Sequence, residues 1–559
     1  MTDASHPTSA ESRPDSPSPP AMSPEEFRRL GHRAVDWIAD YWSSLESLPV
    51  LSRVAPGRVR SMLPADPPEK GAGEAGYDAV FADLSRIIVP GLTHWQSPNF
   101  FAFFPANAST PGVIGEMLSA GLGVQGMLWA TSPACTELET LTLDWLAKAT
   151  GLPEKFMSTS AHGGGVIQGT ASEATLVALL SARHRILRAI KGAAGSATGV
   201  ATNSNHGPSG VVAAREQTPR HEPEHAPEHT LVMYASTQAH SSVMKAAMIA
   251  GLALGPDDKR RVRLIDTDEN FAMNPAALEH AMREDVSRGL VPCCVVASVG
   301  TTGTTAIDPV EQIADVIDRV PPGGDAGARS ATGRAIVRPW LHVDAAHAGA
   351  ACVCPEMRWI FRGIDRADSL CFNPHKWLLT NFDCDAYWTG DRGALIGAMS
   401  ITPEYLRNSA TDSGRVIDYR DWQVPLGRRF RALKLWLVMR HFGLEGLRAH
   451  VRSHIAMAEW FEARVREDPR FEIAAPRTMN LVCFRLRGEG PESDARNKAL
   501  MDRLNQSGAL YLTHTVLPTT PARPLAGRLV LRMAIGASTT THAHVESAWN
   551  KITDEAGRT

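Results

Sequence analysis

Apolar runs of strand length alternate along the middle of the chain with segments of helical periodicity. Three such runs, Leu231–Ala235, Val291–Gly300 and Trp340–Asp344, each lead into polar residues. Apolar residues at helical spacing lie between them, as in Ala276–Glu284 and Val310–Arg319. The alternation predicts an α/β fold with a mostly parallel central sheet and helices on both faces. Ligands bind at the carboxyl ends of such strands, so the polar residues there are candidates for a site.

The two ends of the chain carry different patterns. Residues 1–22 are rich in Ser, Pro and Asp, which predicts a disordered tail. Ser23 and Glu26 have the spacing of a capping box, with Pro24 in the first turn, and apolar residues at helical spacing follow. After Arg431 a long helical pattern precedes two separated apolar runs, which predicts a small α+β domain at the C-terminus.

These patterns divide the chain into four segments and two inserts. Gly, Ser, Pro and charged residues dominate at about 192–230 and 321–335, which predicts exposed loops or disordered inserts. The expected segments are the tail (1–22), an N-terminal helical segment that packs on its own domain or on a second subunit (23–109), a large domain with both inserts (110–433) and a small C-terminal domain (434–559).

Composition excludes several classes of function. The chain has 559 residues and a net charge of −3, so it lacks the basic footprint of a nucleic-acid-binding protein. It contains no run of 18 apolar residues, so we expect no transmembrane helix and no membrane partner, and the N-terminus lacks the apolar core of a secretory signal. Most of the eight cysteines lie in apolar runs, which predicts reduced, buried thiols and a cytoplasmic protein.

Two groups of potential metal ligands are better explained without a metal. The segment His221–His229 has histidines at four-residue spacing, but its two prolines argue against the helix that would align them. Cys352 and Cys354 are separated by one residue, whereas a zinc knuckle has a gap of two. We therefore predict that the protein has no metal site.

A lysine in the stretch Cys371–Trp388 is the first candidate for catalytic chemistry. Lys376 follows a histidine and precedes a tryptophan, with apolar residues beyond. Burial would lower the pKa of its ammonium group, and a free amine is a nucleophile toward carbonyl groups. Schiff-base formation with an aldehyde such as pyridoxal phosphate (PLP) needs such an amine. The alternative is a surface lysine at a helix end.

Three further features match the needs of PLP. Glycines lead into Thr170, Ala171 and Ser172 at a predicted helix start, which suits a phosphate but is also a common helix cap. Asp344, at a strand end, could keep the pyridine nitrogen protonated or could be a cap or salt-bridge partner. The side chain that covers the ring could be Ala346 or His240, although an isolated histidine is more often a core residue.

Taken in order, these features make the sequence resemble the PLP-dependent aromatic L-amino acid decarboxylases of the group II decarboxylase family. The resemblance covers about residues 23–555, apart from the two inserts. The matching stretches are THWQSPNFFAFFPA, SPACTELETLTLDWL, GGGVIQGTASEATLVALL, QAHSS, HVDAAHAG, NPHKWLLTNFDC and DWQVPLGRRFRALKLW. The resemblance implies PLP-dependent fold type I and a homodimer with active sites at the subunit interface, with 23–109 as the dimerisation segment.

The family pattern also implies roles for individual residues. Lys376 resembles the Schiff-base lysine, Asp344 the pyridinium partner and His240 the residue stacked on the ring. The positions that match contacts to the cofactor phosphate are Thr170, Ala171, Ser172, Asn373 and His375. Thr302 and Asp308 match positions near the ring and its supporting shell.

The resemblance places Tyr405 on a mobile loop, at the position of the tyrosine that protonates the α-carbon after CO₂ leaves. Relatives with phenylalanine there tend to release an aldehyde by oxygen chemistry, because a phenyl ring cannot donate a proton. The sequence therefore predicts release of an amine, and a decarboxylating aldehyde synthase is the alternative. A catalytically silent PLP fold is inconsistent with the intact Lys376, Asp344, His240 and Tyr405. A glutamate or histidine decarboxylase is a further alternative within the family, although glutamate would need basic pocket residues that the Phe-rich wall lacks.

The substrate side chain is predicted from eight positions. By resemblance they are Trp95, Phe103, Phe104, Ala106, Gln125, Met127, His347 and Gly427. Phe103 and Ala106 replace hydroxyl-bearing residues of animal relatives, and Gly427 matches the glycine of indole-selective plant enzymes. Loss of hydroxyl partners disfavours a phenol and leaves room for an indole. We expect conversion of L-tryptophan to tryptamine, with phenylalanine, tyrosine and dihydroxyphenylalanine as competing substrates.

Overall fold

The computed structural model describes residues 22–71, 73–197, 230–320, 337–401, 410, 416–517, 525 and 527–558. The predicted tail, Tyr405 and the two predicted inserts lie outside the described residues, apart from Met22, Thr230 and the backbone of 192–197. The chain divides into two compact units, Met1–Thr93 and His94–Thr559. The predicted boundaries at 109/110 and 433/434 stay predictions.

The first unit is helical in its described part. Its helices are α1 (Pro24–Ser44), α2 (Arg58–Met62) and α3 (Gly76–Asp83), with a π-helical turn at Leu84–Ile88 and short 3₁₀ turns at Leu45–Ser47 and Val89–Gly91. The predicted capping box is confirmed, since the Glu26 N–H donates to Ser23 Oγ at 3.2 Å and the Ser23 N–H donates to the Glu26 carboxylate at 2.7 Å. Phe27 and Val35 on α1 are exposed.

The second unit contains the large sheet. Its strands are β1 (Gly164–Gln168), β2 (Leu231–Ser236), β3 (Val262–Ile265), β4 (Val291–Ser298), β5 (Trp340–Asp344), β6 (Ser369–Phe372) and β7 (Asp385–Thr389), in the order β1-β7-β6-β5-β4-β2-β3. The mostly parallel sheet is confirmed, and β7 alone runs antiparallel to both of its neighbours. The segment between β6 and β7 has a single helical turn, which is too little for a crossover back to a parallel position.

Helices cover both faces of this sheet, as predicted. They are α4 (Thr110–Leu122), α5 (Pro133–Thr150), α6 (Ala171–Ala197), α7 (Ser241–Ile249), α8 (Pro275–Ser287), α9 (Val310–Arg319), α10 (Pro374–Trp377), α11 (Arg392–Met399) and α12 (Arg431–Glu467), with 3₁₀ helices at Glu154–Phe156, Ala348–Val353, Pro355–Phe361, Ile364–Arg366 and Tyr419–Trp422. One apolar core joins α5, α8, α9 and α12 to the sheet, and another joins α6 and α7. The kink in α12 lies at Gly443, whose φ of 59° suits glycine.

The predicted C-terminal α+β layer is also present. Its strands are β8 (Phe471–Ile473), β9 (Leu481–Leu486), β10 (Thr513–Val516) and β11 (Leu529–Ala534), paired antiparallel in the order β10-β11-β9-β8, and its helices are α13 (Gly490–Ser507) and α14 (His542–Ala556). Phe461 of α12 and Phe101 pack into its core.

The structure also tests the predictions about membrane-spanning helices and about the cysteine thiols. None of the helices in the described part of the chain is long and apolar enough to cross a membrane. All eight cysteines lie within that part, and each is buried with a free thiol, which agrees with the prediction from their apolar surroundings.

Candidate active site

A cavity of about 270 Å³ lies at the carboxyl edge of the large sheet. It brings together most of the predicted cofactor residues, because strands β1, β2, β4, β5 and β6 all end at this edge and the segments that follow them line the cavity. Its lining consists of Phe104, Thr170, Ala171, Ser172, His240, Ser242, Ser298, Gly300, Thr301, Thr302, Asp344, Ala346, His347, Asn373, His375, Lys376 and Phe382.

Lys376 reaches this cavity from the short helix α10. Burial lowers the pKa of its ammonium group, and the carboxylate of Asp344 opposes that effect. Its Nζ lies 6.0 Å from the centre of the Phe104 ring. The backbone of α10 is held by Asn107, whose Nδ2 donates to the carbonyls of Lys376 at 2.5 Å and Gly536 at 2.9 Å. This environment favours a free, nucleophilic amine in a fixed place.

Asp344 and His240 are held by local hydrogen bonds. The Asp344 carboxylate, at the end of β5, accepts the N–H of Ala346 at 3.1 Å. His240 caps helix α7, and its Nδ1 accepts the N–H of Ser242 at 3.2 Å. Burial lowers the pKa of His240, although Asp344 opposes this, so the ring favours the neutral form. Because Nδ1 is an acceptor, the neutral ring carries its proton on Nε2.

The lining of the cavity also carries donors that suit a phosphate group. Helix α6 starts there, and free N–H groups at the N-terminus of a long helix attract anions. The hydroxyl of Ser298 lines the cavity, is buried and has no hydrogen-bond partner among the described residues. Asn373 and His375 also line the cavity, and burial lowers the pKa of His375 to about 3, so it is neutral. Together with Lys376 and Asp344, these donors fit PLP.

Asp308 lies behind the lining of the cavity. It is fully buried, and its carboxylate accepts the N–H groups of Met273 and Ser298, each at 2.7 Å. Burial raises its pKa to about 7. Its position supports the end of β4, and through it the Ser298 hydroxyl, in agreement with a place in the supporting shell.

Phe104 and His347 form one wall of the cavity. Their rings stack with centroids 3.7 Å apart, and Trp377 stacks on the other face of His347 at 4.8 Å. Asn480 Nδ2 donates to the Ile535 carbonyl, so its Oδ1 is the atom that accepts from His347 Nε2 at 2.8 Å. Burial lowers the pKa of His347 to about 3. The neutral ring therefore has a lone pair on Nδ1, which is buried and unpartnered among the described residues.

The remaining predicted substrate residues form two groups outside this lining. Trp95 and Phe103 stack at 5.6 Å and are 38% and 44% exposed, and Ala106 lies nearby, its carbonyl accepting from the Gln96 side chain.

The second group contains Gln125, Met127 and Gly427. Gln125 Oε1 accepts the N–H of Arg428 at 2.5 Å, and a Cβ atom on Gly427 would lie 3.2 Å from Gln125 Nε2. The single chain brings neither group into the cavity.

Sequence reasoning missed several residues of the site. Ser242, Ser298, Gly300, Thr301 and Phe382 line the cavity without having been predicted. A signal existed for Ser298, a polar residue near the end of the apolar run Val291–Gly300, and for Ser242, which follows the helix cap at His240. Phe382 gave no local signal.

Comparisons with known proteins agree with this geometry. The family model of the pyridoxal-dependent decarboxylase conserved domain matches residues 56–205 and 189–487. The chain is 44% identical over 540 residues to tryptophan decarboxylase 2 of Oryza sativa subsp. japonica, covering 96% of this chain and 95% of the relative. It is also 44% identical over 538 residues to phenylacetaldehyde synthase of Arabidopsis thaliana, covering 96% of each.

Solved structures give the same result. The crystal structure of Oryza sativa TDC with PLP and tryptamine superposes with a TM-score of 0.83 and 40% identity, over 97% of this chain and 99% of that one. Tryptophan decarboxylase of Catharanthus roseus in complex with L-tryptophan gives 0.80 and 38%, over 96% and 99%. With a buried lysine, a carboxylate and the start of helix α6 around one cavity, this chain belongs to the pyridoxal-dependent decarboxylase family, and it is a carboxy-lyase with PLP as its cofactor.

Proposed function

We propose that the protein releases CO₂ from an aromatic L-amino acid, with L-tryptophan giving tryptamine as its preferred reaction. The observation that carries this proposal is the convergence of Lys376, Asp344 and His240 on a cavity walled by Phe104 and His347. Flat, apolar walls with a few polar groups suit an aromatic ligand.

The residues divide the work of the reaction. When bound, PLP supplies an aldehyde for the amine and a ring that accepts the electron pair left by CO₂. The Lys376 amine holds the cofactor and exchanges with the amine of the substrate. Asp344 keeps a proton on the pyridine nitrogen, and the start of α6 binds the phosphate. His240 covers the ring, and Tyr405 gives a proton to the α-carbon.

The preference for tryptophan has two supports. Relatives at 44% and 38% identity are named for tryptophan. In addition, the Nδ1 lone pair of His347 can accept a hydrogen bond from a ligand. An indole N–H is such a donor, and phenylalanine has none on its ring. Tyrosine and dihydroxyphenylalanine carry hydroxyl donors and remain competing substrates. Phenylalanine also remains a competitor, because its ring is small enough for the same cavity.

Substrate competition tests this proposal. Purified enzyme with PLP is given tryptophan, 1-methyltryptophan, tyrosine, phenylalanine and dihydroxyphenylalanine, and amine, aldehyde and peroxide are measured. We expect tryptamine as the main product and about tenfold lower kcat/KM for 1-methyltryptophan, which lacks the N–H. Equal rates for tryptophan and its methyl analogue would contradict the role of His347. Faster release of another amine would keep the chemistry and overturn the preference.

A decarboxylating aldehyde synthase is the second candidate, because phenylacetaldehyde synthase of Arabidopsis thaliana is equally similar to this chain. Tyr405 distinguishes the two, although it lies outside the described residues. We predict that Tyr405→Phe changes the main product from amine to aldehyde, because the proton donor is lost. In that reaction dissolved dioxygen is the oxidant and is reduced to hydrogen peroxide, while water supplies the aldehyde oxygen and ammonia is released. Coupled peroxidase assays and mass spectrometry measure this, with Tyr77→Phe as the control. An unchanged amine yield would assign the proton to another group.

We also propose a homodimer in the cytoplasm. Besides Trp95 and Phe103, apolar residues are exposed on α4 and nearby, which supports an interface: Ile114, Met117, Leu118, Leu122, Val124 and Leu426. In this proposal Gln125, Met127 and Gly427 of one copy complete the cavity of the other. Eight buried free thiols support a reducing compartment.

Subunit complementation tests the dimer. The wild type is expected to sediment at twice 60.4 kDa. Lys376→Ala and Gly427→Trp chains are each expected to be inactive alone. When they are refolded together, about a quarter of wild-type activity is expected, because half of the dimers are mixed and each has one intact site. No recovery from a mixture shown to contain mixed dimers would contradict a shared site.

A further inference from the structure

Asp385 is a fully buried carboxyl group that the proposed chemistry does not use. It is the first residue of β7 and has no exposed surface. Neither of its oxygens has a hydrogen-bond partner among the described residues. An ionised carboxylate without partners is very unfavourable in a protein interior, whereas a protonated one can act as a donor.

Strand register places Asp385 beside the cofactor site. Because β7 is antiparallel, its first residue lies at the carboxyl edge of the parallel strands, where Asp344 ends β5. Asp344 pairs with Cys371, and Cys371 pairs with Tyr387, two residues from Asp385. Alternation along a strand puts all of these side chains on one face of the sheet. Asp385 therefore shares both an edge and a face with Asp344.

The side-chain oxygens of two neighbouring amides receive no hydrogen bond from the described residues. Gln168 lies directly opposite Asp385 in the ladder of β1 and β7. Gln168 Nε2 donates to the Trp422 carbonyl at 2.8 Å, while its Oε1 is buried and unpartnered among the described residues. Paired Cβ atoms in such a ladder are about 5 Å apart, within reach of a side-chain hydrogen bond. Asn373 follows the last residue pair of the β6–β7 ladder. Its Oδ1 is also buried and has no hydrogen-bond partner among the described residues.

The surrounding charges favour a neutral carboxyl group. Burial raises the pKa of Asp385 well above its usual range, and the carboxylates of Asp344 and Glu173 add to this effect. Lys376 acts in the opposite direction. Asp344 lies on β5, Lys376 on α10 and Glu173 on α6, so these are the charged groups that face Asp385 from the elements around it.

We propose that Asp385 is a positioning residue, held as a neutral carboxylic acid whose O–H donates to Oε1 of Gln168. The proton gives a donor to a cluster of buried oxygens that otherwise contains only acceptors. It also leaves Asp344 as the sheet carboxylate that acts on Lys376. An ionised Asp385 would hold Lys376 in its charged form and would repel the cofactor phosphate, so its neutrality favours both the free amine and phosphate binding.

Infrared difference spectroscopy tests the protonation state directly. The spectrum of wild-type holoenzyme minus that of the Asp385→Asn holoenzyme is expected to show the C=O stretch of a carboxylic acid at pH 7. Carboxylate stretches in its place would overturn the proposal. This measurement does not depend on turnover. If the proposed function were wrong, the wild type would show no cofactor absorbance, whereas a wrong inference about Asp385 would change only the infrared bands.

A pH titration of the bound cofactor gives the second readout. Asp385→Asn removes no charge if the acid is neutral, so the pH midpoint of the cofactor absorbance is expected to move by less than about 0.3 unit. Asp344→Asn removes a charge near Lys376 and is expected to lower the midpoint by about one unit or more, which makes it the matched control. An equal decrease in both variants would show that Asp385 is ionised.

Cofactor affinity tests the donated hydrogen bond. Asp385→Asn keeps a donor of similar shape, so its affinity for PLP is expected to stay within about threefold of the wild type. Asp385→Ala removes the donor and is expected to bind PLP about tenfold more weakly. Unchanged affinity in a folded Asp385→Ala variant would contradict the positioning role. If that variant does not fold, the infrared and pH measurements on Asp385→Asn still decide.

Discussion

Lys376→Ala is expected to lower the rate of CO₂ release by roughly a thousandfold or more. Under the proposed function, the variant loses the amine that holds the cofactor and that exchanges with the substrate. The reason lies in the surroundings of the lysine, since burial lowers its pKa and the carboxylate of Asp344 offsets only part of that effect. Single-turnover assays measure the rate, and the visible absorbance of the bound cofactor reports the loss of its attachment.

The control for this variant is Lys245→Ala, which removes an exposed lysine from α7 and leaves the cavity unchanged. It is expected to keep wild-type rate and absorbance. Addition of a small primary amine to Lys376→Ala should restore part of the rate, because the missing group is a nucleophile and not a structural support. A Lys376→Ala enzyme that retained both the absorbance band and more than a tenth of the activity would contradict the assignment.

Asp344→Asn is the second large effect, with an expected loss of roughly a hundredfold to ten-thousandfold in kcat. An amide of the same size cannot hold a proton on the pyridine nitrogen by charge, so the ring becomes a poorer acceptor for the electron pair left by CO₂. Asp344 is buried at the end of β5, and its Oδ1 accepts the Ala346 N–H at 3.1 Å. Steady-state kinetics and the pH titration of cofactor absorbance measure the two consequences.

Two further variants show whether the effect of Asp344→Asn comes from the lost charge. Asp344→Glu keeps the charge and is expected to retain more activity than Asp344→Asn, which separates charge from shape. Asp257→Asn changes an exposed aspartate and is expected to have no effect. If Asp344→Asn lost cofactor binding entirely and Asp344→Glu did so equally, the carboxylate would be a structural support instead of the partner of the ring nitrogen.

Much of the fold was predictable because its signals are local. The capping box at Ser23 depends on a few adjacent residues. The alternation of apolar runs and helical stripes predicted the parallel sheet and its helices on both faces. The antiparallel strand β7 was not predicted, because its direction depends on the short connection after β6 and not on its own residues.

The types of reactive side chain in the site could be predicted from the sequence, but their protonation states could not. Lys376, Asp344, His240 and the start of α6 follow from motifs, and one cavity contains them all. The tautomer of His347 depends on Asn480, which is 133 residues away and is itself oriented by Ile535. No local pattern contains that information.

The amino-acid pattern thus specified the elements and the reactive side chains, because periodicity, caps and motifs are properties of neighbouring residues. Only the folded chain decided which polar atoms lack partners and which carboxyl groups are buried, because these depend on residues that meet across strands. Asp385 and Gln168 are 217 positions apart in numbering and face each other in one ladder. Their unpartnered oxygens, and the exposure of the Trp95 and Phe103 rings, are properties of the folded chain and not of any local stretch of sequence.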